Sequence, residues 1–136
     1  MAIEGPLVMH TGHLTAGADL STTGQFRFVK LGTVEGTVIL CAAAADRPYG
    51  VLQNNPKNGE EADVLNIGIT KLEADAALAD GDEIGTSANG QADVKVRGTD
   101  LDEFIVGVVL ETVGAAGEIT TAAINCIAPA TAAAVA

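Results

Sequence analysis

Short apolar runs separated by glycine and other turn-forming residues recur along this chain at a pitch of roughly 8 to 12 residues, the spacing expected of a β-sandwich or β-barrel. In "DVLNIGITKL", the aliphatic residues Leu65, Ile67 and Ile69 share one face at period two, which predicts a core face. The candidate strands are residues 26–31, 37–42, 49–53, 63–72, 82–87, 92–97, 104–111 and 118–128. The pattern predicts an all-β fold: a compact antiparallel β-barrel or β-sandwich with an extended N-terminal arm and at most one short helix.

The run "FIVGVVLE" at residues 104–111 differs from the others because both of its faces are apolar. One face carries Phe104, Val106, Val108 and Leu110, and the other carries Ile105, Gly107 and Val109. Continuous apolar character is typical of a strand that is covered on both sides. We therefore expect this strand at the centre of the sheet.

Turn chemistry supports the same interpretation. Asn89-Gly90 lies between two candidate strands, and Asn-Gly readily takes the positive φ angles of a tight hairpin.

Residues 71–80 are rich in alanine, leucine and acidic residues that favour a helix, but Gly81 ends the stretch, and an isolated helix this short is marginal. A loop and a short helix are equally favoured there.

A strand-turn-strand unit occurs twice, at residues 49–64 and 106–121. Each copy begins near Gly-Val, passes through a turn-forming stretch and restarts at Gly-Glu. A missing side chain lets another backbone approach closely, and glycine also opens a strand after a turn. We expect the two units to pack face to face as scaffold. The glycines with these structural roles are Gly50, Gly59, Gly107 and Gly117.

The chain is predicted to have three parts: an extended N-terminal arm at residues 1–24, a β-barrel or β-sandwich domain at 25–128, and a flexible C-terminal tail at 129–136. Glycine and proline break the arm, yet "PLVMH" is an apolar stretch that an isolated core would not obviously cover. Such a segment can add as a strand to a sheet edge of another subunit, and a disordered or self-packed terminus is the alternative. The candidate docking residues are Ile3, Leu7, Val8 and Met9.

Composition and charge narrow the classes of partner. The hydrophobic fraction is 48%, but much of it is alanine, and the aromatic residues are Phe26, Phe28, Tyr49 and Phe104. A thin aliphatic core follows, so we expect partners to add stability. The net charge of -11 repels phosphate backbones, and the two ends lack polybasic segments. We therefore expect no binding to nucleic acid and none to membranes.

The sequence contains no catalytic constellation that we recognise. Cys41 and Cys126 lack a metal-ligand spacing, which favours two reduced core cysteines and leaves a single disulfide as the alternative. His10 and His13, three residues apart, fall on opposite faces of an extended chain and chelate one ion poorly. We expect no enzymatic activity, no metal site and no cofactor.

The succession "YGVLQNNPKNGE", "ALADGDEIGTSANGQA" and "FIVGVVLETVGAAGEI" resembles a family of phage head-decoration, or capsid cement, proteins that was formerly a domain of unknown function. The similarity covers roughly residues 46–125. It implies a structural virion protein, made in the host cytoplasm, that decorates and stabilises the outer surface of a phage icosahedral head. The implied partner is the major capsid protein, whose neighbouring subunits it would bridge.

The resemblance also implies a homo-oligomer, with a trimer favoured, and leaves the symmetry and the lattice positions open. A second class of function is a carbohydrate-binding or receptor-binding β-module on a virion or cell surface. Such modules normally present aromatic platforms, whereas this chain has no tryptophan and one tyrosine.

Overall fold

Twelve β-strands make up the regular structure of the residues that the computed structural model describes, 8–10 and 14–133. In chain order they are β1 (Val8–His10), β2 (Thr15–Ala16), β3 (Phe28–Leu31), β4 (Thr37–Leu40), β5 (Gly50–Leu52), β6 (Val64–Glu73), β7 (Glu83–Thr86), β8 (Ala92–Val94), β9 (Phe104–Ile105), β10 (Gly107–Val109), β11 (Ile119–Asn125) and β12 (Ala130–Thr131). These described residues contain no helix. The all-β prediction is confirmed.

One large sheet contains ten of these strands. Nine follow the order β2-β4-β3-β5-β6-β11-β10-β7-β8, and β1 pairs with β6. Neighbours are antiparallel except for β2 and β4, which run parallel. β9 and β12 form a separate two-stranded sheet. The strand predicted at residues 104–111 is therefore divided between two sheets at Val106, whose N–H donates to Ile84 O at 2.9 Å.

Both ends of the large sheet return to the neighbourhood of β6. At one end, Thr15 of β2 bridges Glu61, just before β6 begins. At the other end, Ala92 of β8 bridges Ala74, just after β6 ends. Each half of the sheet thus closes on itself, and β6 is common to both halves.

Two apolar cores fill the two halves. The N-terminal cluster consists of Leu14, Ala16, Leu20, Val29, Val38, Leu52, Ala62 and Val64. The larger C-terminal cluster includes Phe28, Val51, Leu65, Leu72, Leu78, Ile84, Val109, Ala122 and Ile124. Successive residues of a strand point to opposite faces, so β5 contributes Val51 to one cluster and Leu52 to the other.

Residues 71–80 are the end of a strand followed by a loop. β6 continues to Glu73, and beyond it Ala74 and Leu78 are buried in the C-terminal cluster. The N–H of Leu78 donates to Val113 O at 3.0 Å. Long-range pairing and burial override the intrinsic helix preference of this stretch.

β6 does not keep one face in the core along its whole length. Leu65 and Leu72, seven positions apart and on opposite faces by period two, are both buried, whereas Ile69 is 61% exposed. Gly68 lies between them with a φ of 144°, a conformation that favours glycine. The expectation that Leu65, Ile67 and Ile69 share a core face is wrong for Ile69, because at that point the face lies outside both closed halves.

The described parts of the predicted arm and tail are packed against the rest of the structure. Three apolar side chains from residues 14–20, within the predicted arm, are at most 5% exposed in the N-terminal cluster. Within the predicted tail, β12 pairs with β9 and Ala132 is fully buried. The N–H of Ala132 donates to Glu103 O at 2.9 Å.

Candidate interaction surfaces

The two repeated units form hairpins that lie side by side in the large sheet. The first hairpin is β5 with β6, the second is β10 with β11, and β6 pairs with β11 between them. That pairing runs in register from Ile67 opposite Asn125 to Glu73 opposite Ile119. The predicted face-to-face packing is wrong, because the units join through their backbone edges.

Each hairpin carries a glycine on its outer strand, pressed against the partner backbone. A Cβ built on Gly50 would lie 2.5 Å from the carbonyl oxygen of Leu65, and one on Gly107 would lie 2.6 Å from that of Ala123. A side chain at either position would therefore push the strands apart. The structure gives both glycines a packing role.

The two Gly-Glu restarts share one geometry. Gly59 and Gly117 have φ angles of 85° and 86°, in the left-handed region that favours glycine. Each following glutamate accepts a hydrogen bond from a backbone N–H three or four residues earlier, at 2.7 Å for Glu60 and 2.8 Å for Glu118. The carboxylates thus close the turns.

The Asn89-Gly90 turn connects β7 to β8, which pair as a hairpin. The loop spans residues 87–91 and is therefore longer than a tight two-residue turn. Gly90 has a positive φ of 77°, and Asn89 does not have a positive φ. The carbonyl of Gly90 accepts a hydrogen bond from Phe28 N at 2.7 Å. Arg27 Nη1 donates to Asn89 O at 3.1 Å, so this turn fastens the two halves of the sheet together.

The predicted docking residues fall partly within the described chain. Val8 and Met9 belong to β1 and lie opposite Ile67 and Leu65 of β6 in the same chain. Ile3 and Leu7 lie outside the described residues. In this structure β1 is therefore a strand of the large sheet.

Exposed apolar residues lie on one face of β6, β11 and β10, where Lys71 and Thr121 also lie. Ile69, Ala123 and Val108 lie directly opposite one another on these three neighbouring strands, so they share a face. Ile69 is 61% exposed and Val108 is 38% exposed, and Leu110 and Ile119, also exposed, extend the surface. We call these five residues the outer face.

The sequence reasoning missed the outer face as a candidate site, although its signal was present. The second apolar face of "FIVGVVLE" predicted cover on both sides of the strand, yet Val108 and Leu110 are exposed. Hydrophobic periodicity reports that a face needs cover, and it does not say whether that cover comes from the same chain.

The buried charged group of Lys95 is bound by hydrogen bonds and ion pairs within the chain. The Lys95 side chain is fully buried, and its Nζ donates to Thr86 O at 2.8 Å and contacts carboxylates of Asp93 and Glu103.

No group of three or more His, Cys, Asp or Glu side chains that could hold a metal ion occurs within residues 8–10 and 14–133. No helix in that part of the chain is long and apolar enough to cross a membrane.

The two cysteines are free thiols buried in the C-terminal cluster. Burial raises the pKa of the Cys41 thiol from 9.0 to about 12, and it does the same for Cys126. A thiol with so high a pKa is almost wholly protonated at neutral pH and is a poor nucleophile. The structure therefore places both as packed core residues.

An open cleft of about 520 Å³ lies beside the first half of the sheet. Its lining includes Tyr49, Lys30 and Arg47 together with the exposed aliphatic residues Leu31 and Ile127. Lys30 Nζ is paired with Asp46 at 2.9 Å, and Arg47 Nη2 donates to a backbone carbonyl at 3.3 Å. The size lies within the range of small-molecule sites, and Arg47 gives it a cationic rim.

Solved structures with a similar fold include two from phages. The head fiber gp8.5 N base in bacteriophage phi29 matches with a TM-score of 0.65 at 17% identity, covering 89% of this chain and 96% of that chain. A chain from the capsid of Myoviridae phage XM1 matches with a TM-score of 0.59 at 18% identity, covering 89% of this chain and 84% of that one. At these identities the comparison establishes a shared fold.

Sequence comparison adds no relative. A scan against protein-family models finds no match, and a search of curated proteins finds none either.

Proposed function

We propose that this chain is a structural virion protein that decorates the outer surface of a phage icosahedral head. In that position it would bridge neighbouring major capsid protein subunits and stabilise the shell. The role is mechanical and needs neither a catalytic group nor a cofactor. A homo-oligomer, with a trimer favoured, is part of the proposal.

The observation that carries this proposal is the fold. The likeness extends over 89% of the chain in both comparisons, and both solved structures come from phage heads or capsids. A fold alone does not assign a function, so the surface must agree with it. It does, because a chain with a net charge of -11 and an exposed apolar face suits a protein partner better than a nucleic acid.

The N-terminal residues are the proposed attachment to the shell. β1 pairs with β6 of its own chain along one edge, so attachment to the shell would use its other edge, which pairs with no strand that the structure describes. Ile3, Leu7, Val8 and Met9 would then contact the major capsid protein or a neighbouring copy. Residues 14–20 anchor this segment, because they are packed into the N-terminal cluster.

A cryo-EM map of the parent particle tests the proposal directly. We expect density for this fold on the outside of the shell, with each copy contacting at least two capsid subunits. Heads that lack the protein should rupture at a lower temperature, and adding the purified chain should restore the original temperature. Density confined to the inside of the head, or no density at all, would contradict the decorating role.

Variants of the N-terminal segment test the attachment. Deleting residues 1–9 should leave the β-fold intact, as measured by circular dichroism, and lower the occupancy of the particle. Leu7→Ser should have the same effect in weaker form, whereas Ala2→Ser is the matched control and should bind normally. Unchanged occupancy after the deletion would remove the arm from the proposal and leave the fold unaffected.

A carbohydrate-binding or receptor-binding module on a virion or cell surface is the second candidate, and the cleft beside Tyr49 favours it. A cationic rim next to an aromatic ring suits an acidic sugar. An array of glycans probed with the full chain tests this role, with Arg47→Ala as the disabling variant. Lys57→Ala is the control, because Lys57 is exposed and absent from the cleft lining. Binding that is equal in both variants would exclude the cleft.

A further inference from the structure

We infer that Asn89 is a site of spontaneous deamidation, because the turn between β7 and β8 polarises the peptide group that carries out the first step. The change uses water and a base from solution and needs no enzyme. It concerns the chemical ageing of the chain, and it goes beyond the proposed function because it holds whether or not a phage shell is the partner.

Deamidation of an asparagine begins with the peptide nitrogen of the next residue. This nitrogen loses its proton to hydroxide and attacks the carbonyl carbon of the asparagine side chain, which closes a succinimide ring. The bond between that carbon and the amide nitrogen then breaks, and ammonia leaves after taking a proton from water. Water opens the ring at either carbonyl group, so the products are aspartate and isoaspartate. The net change is the gain of a water and the loss of an ammonia.

Two asparagines of this chain, Asn58 and Asn89, are followed by glycine, which leaves the attacking nitrogen sterically accessible. Both are exposed, and neither side chain makes a hydrogen bond within the part of the chain that the structure describes. Asn55 precedes a proline, which has no N–H to lose. The side-chain amides of the remaining asparagines are hydrogen-bonded to the backbone: Asn54, Asn66 and Asn125.

The peptide group between Asn89 and Gly90 is polarised by Arg27. Arg27 Nη1 donates to Asn89 O at 3.1 Å, and this oxygen shares the negative charge once the Gly90 nitrogen has lost its proton. Nη2 of the same guanidinium is held by Glu73 at 2.6 Å, which keeps it in position. The N–H of Gly90 is weakly held, because it donates to Ser87 O over 3.3 Å. Both features make the proton easier to remove.

The peptide group between Asn58 and Gly59 lacks both features. Gly59 N donates to Ala16 O at 2.9 Å, so its proton is more firmly held. The carbonyl oxygen of Asn58 accepts no hydrogen bond from the residues that the structure describes. Because the two sites share the same Asn-Gly dipeptide, Asn58 is an internal reference for the effect of structure.

Crowding favours the opposite order of reaction. A Cβ built on Gly90 would lie 2.9 Å from Phe28 O, whereas one on Gly59 meets no atom within 4 Å. Control by crowding therefore predicts faster reaction at Asn58. A donor aimed at a developing negative charge is worth about a hundredfold in rate in enzymes, so we expect polarisation to decide the order and Asn89 to react first.

Isoaspartate at position 89 would loosen the junction between the two halves of the sheet. Gly90 O accepts a hydrogen bond from the N–H of the buried Phe28 at 2.7 Å, and this bond helps to fasten the halves together. Isoaspartate carries the main chain through its Cβ and so lengthens it by a methylene group, which displaces Gly90 O from Phe28 N. Aspartate, the other product, leaves the main chain unchanged.

Timed incubation of the full folded chain at mildly alkaline pH tests the inference. Cleavage after Lys57, Lys71 and Lys95 places Asn58 and Asn89 in separate peptides, and each deamidation adds about 1 Da. We expect the Asn89 peptide to gain this mass at least about threefold faster than the Asn58 peptide. In urea the two rates should be similar, because the fold is lost. An Asn89 rate at or below that of Asn58 in the folded chain, or a ratio as large in urea, overturns the inference.

Variants test the role of the guanidinium. Arg27→Gln removes the charge and should slow deamidation of Asn89 at least about threefold relative to Asn58 in the same sample, whereas Arg27→Lys keeps a cation and should retain most of the rate. Arg47→Gln is the matched control, because Arg47 donates to Ile127 O and should leave the ratio unchanged. Circular dichroism confirms that each variant is folded. An unchanged or faster Asn89 rate in Arg27→Gln overturns the polarisation.

The melting temperature reports the consequence for the junction. Aged wild type should melt at a lower temperature than fresh protein. Asn89→Gln, whose longer side chain closes a ring slowly, should keep its melting temperature through the same incubation, and Asn58→Gln is the control that should age like wild type. Aged wild type that carries isoaspartate at position 89 and melts like fresh protein would overturn the effect on the junction.

Discussion

The first hairpin (β5 and β6) and the second (β10 and β11) are built alike but are covered differently. Both carry a glycine against the partner backbone, and both restart at a glycine with φ near 85° followed by a glutamate that closes the turn. In β5 all three residues are buried, with Val51 and Leu52 in different cores. In β10, Val109 is buried and Val108 is exposed.

The cover on the first hairpin comes from the N-terminal residues. Leu14 and Leu20 are packed with Leu52 in the N-terminal cluster, so β5 has apolar neighbours on both faces. Nothing equivalent lies over Val108 in the part of the chain that the structure describes. The same strand-turn-strand unit can therefore be an interior element or a binding surface, depending on whether another segment covers it.

Replacing one side chain of β5 or of β10 with alanine should give the largest difference in unfolding free energy between the two hairpins. Leu52→Ala removes a fully buried side chain and should cost about 3 kcal/mol of unfolding free energy, because it leaves a cavity. Val108→Ala should cost less than about 1 kcal/mol in the monomer, since that side chain already contacts water. Urea unfolding at low protein concentration measures both values. Equal losses would show that the second hairpin is covered in the monomer.

The glycines should give a smaller effect that is shared by both hairpins. Gly50→Ala and Gly107→Ala each bring a Cβ within 2.6 Å of a carbonyl oxygen and should cost about 2 kcal/mol through strain. Gly114→Ala is the control, because a Cβ there meets no atom within 4 Å. Thermal melting compares the three. A stable Gly107→Ala variant would mean that the backbones of β10 and β11 can separate at little cost.

Glu60 and Glu118, which close the two turns, should contribute equally to the unfolding free energy. Glu60→Gln and Glu118→Gln replace a carboxylate acceptor with an amide and should each cost about 0.5 to 1 kcal/mol. Glu35→Gln, in the exposed turn between β3 and β4, is the control for loss of charge alone. The readout is the urea midpoint of each variant. A lower urea midpoint in only one of the two variants would show that the two turns are not stabilised in the same way.

The buried thiols should reveal a small difference in local opening. With a pKa of about 12 in place of 9.0, each thiolate is about a thousandfold rarer at pH 8 than in an exposed cysteine, so labelling should be slow. Cys126, directly after β11, should react a few times faster than Cys41, because the second hairpin is covered on one face only. Mass spectrometry after timed alkylation measures both rates, and faster reaction of Cys41 would contradict this ordering.

The same pKa shift predicts how stability depends on pH. The folded-state pKa lies above the unfolded value, so the folded chain holds these protons more tightly between pH 9 and 12. The stability gained from the buried neutral thiols is complete below pH 9 and is lost as the pH rises through 12. Replacing Cys41 with alanine should flatten this decline in an unfolding series at alkaline pH.

Local pattern was sufficient to predict most strands, because period-two alternation and turn residues act over a few positions. β3, β4, β5, β7, β8 and β11 fall within predicted runs, and β6 ends one residue beyond its run, at Glu73. The intrinsic helix preference of residues 71–80 did not decide their structure, because Ala74 and Leu78 are buried against strands that are far away in sequence. The short strands β2 and β12 carry too few residues to show a period.

Side-by-side pairing of the hairpins could not be predicted from their sequences. Face-to-face and edge-to-edge arrangements place the same residues in the same strands and differ only in which edges meet. The docking residues Ile3, Leu7, Val8 and Met9 stay a prediction. The outer face required the structure, because Ile69 is aliphatic like Leu65 on the same strand and only the curl of the sheet leaves it outside.

The central position of β6 determines what happens to a chain that is still being synthesised. β6 receives β1 and β5 from residues made before it, but its pairing with β11 from Ile119 to Asn125 must wait until the ribosome has added those residues. Until then β6 presents an edge without a partner from Gly68 to Glu73, which other strands can join. Products of premature termination before residue 119 should therefore aggregate, whereas chains that extend past residue 125 can close that edge.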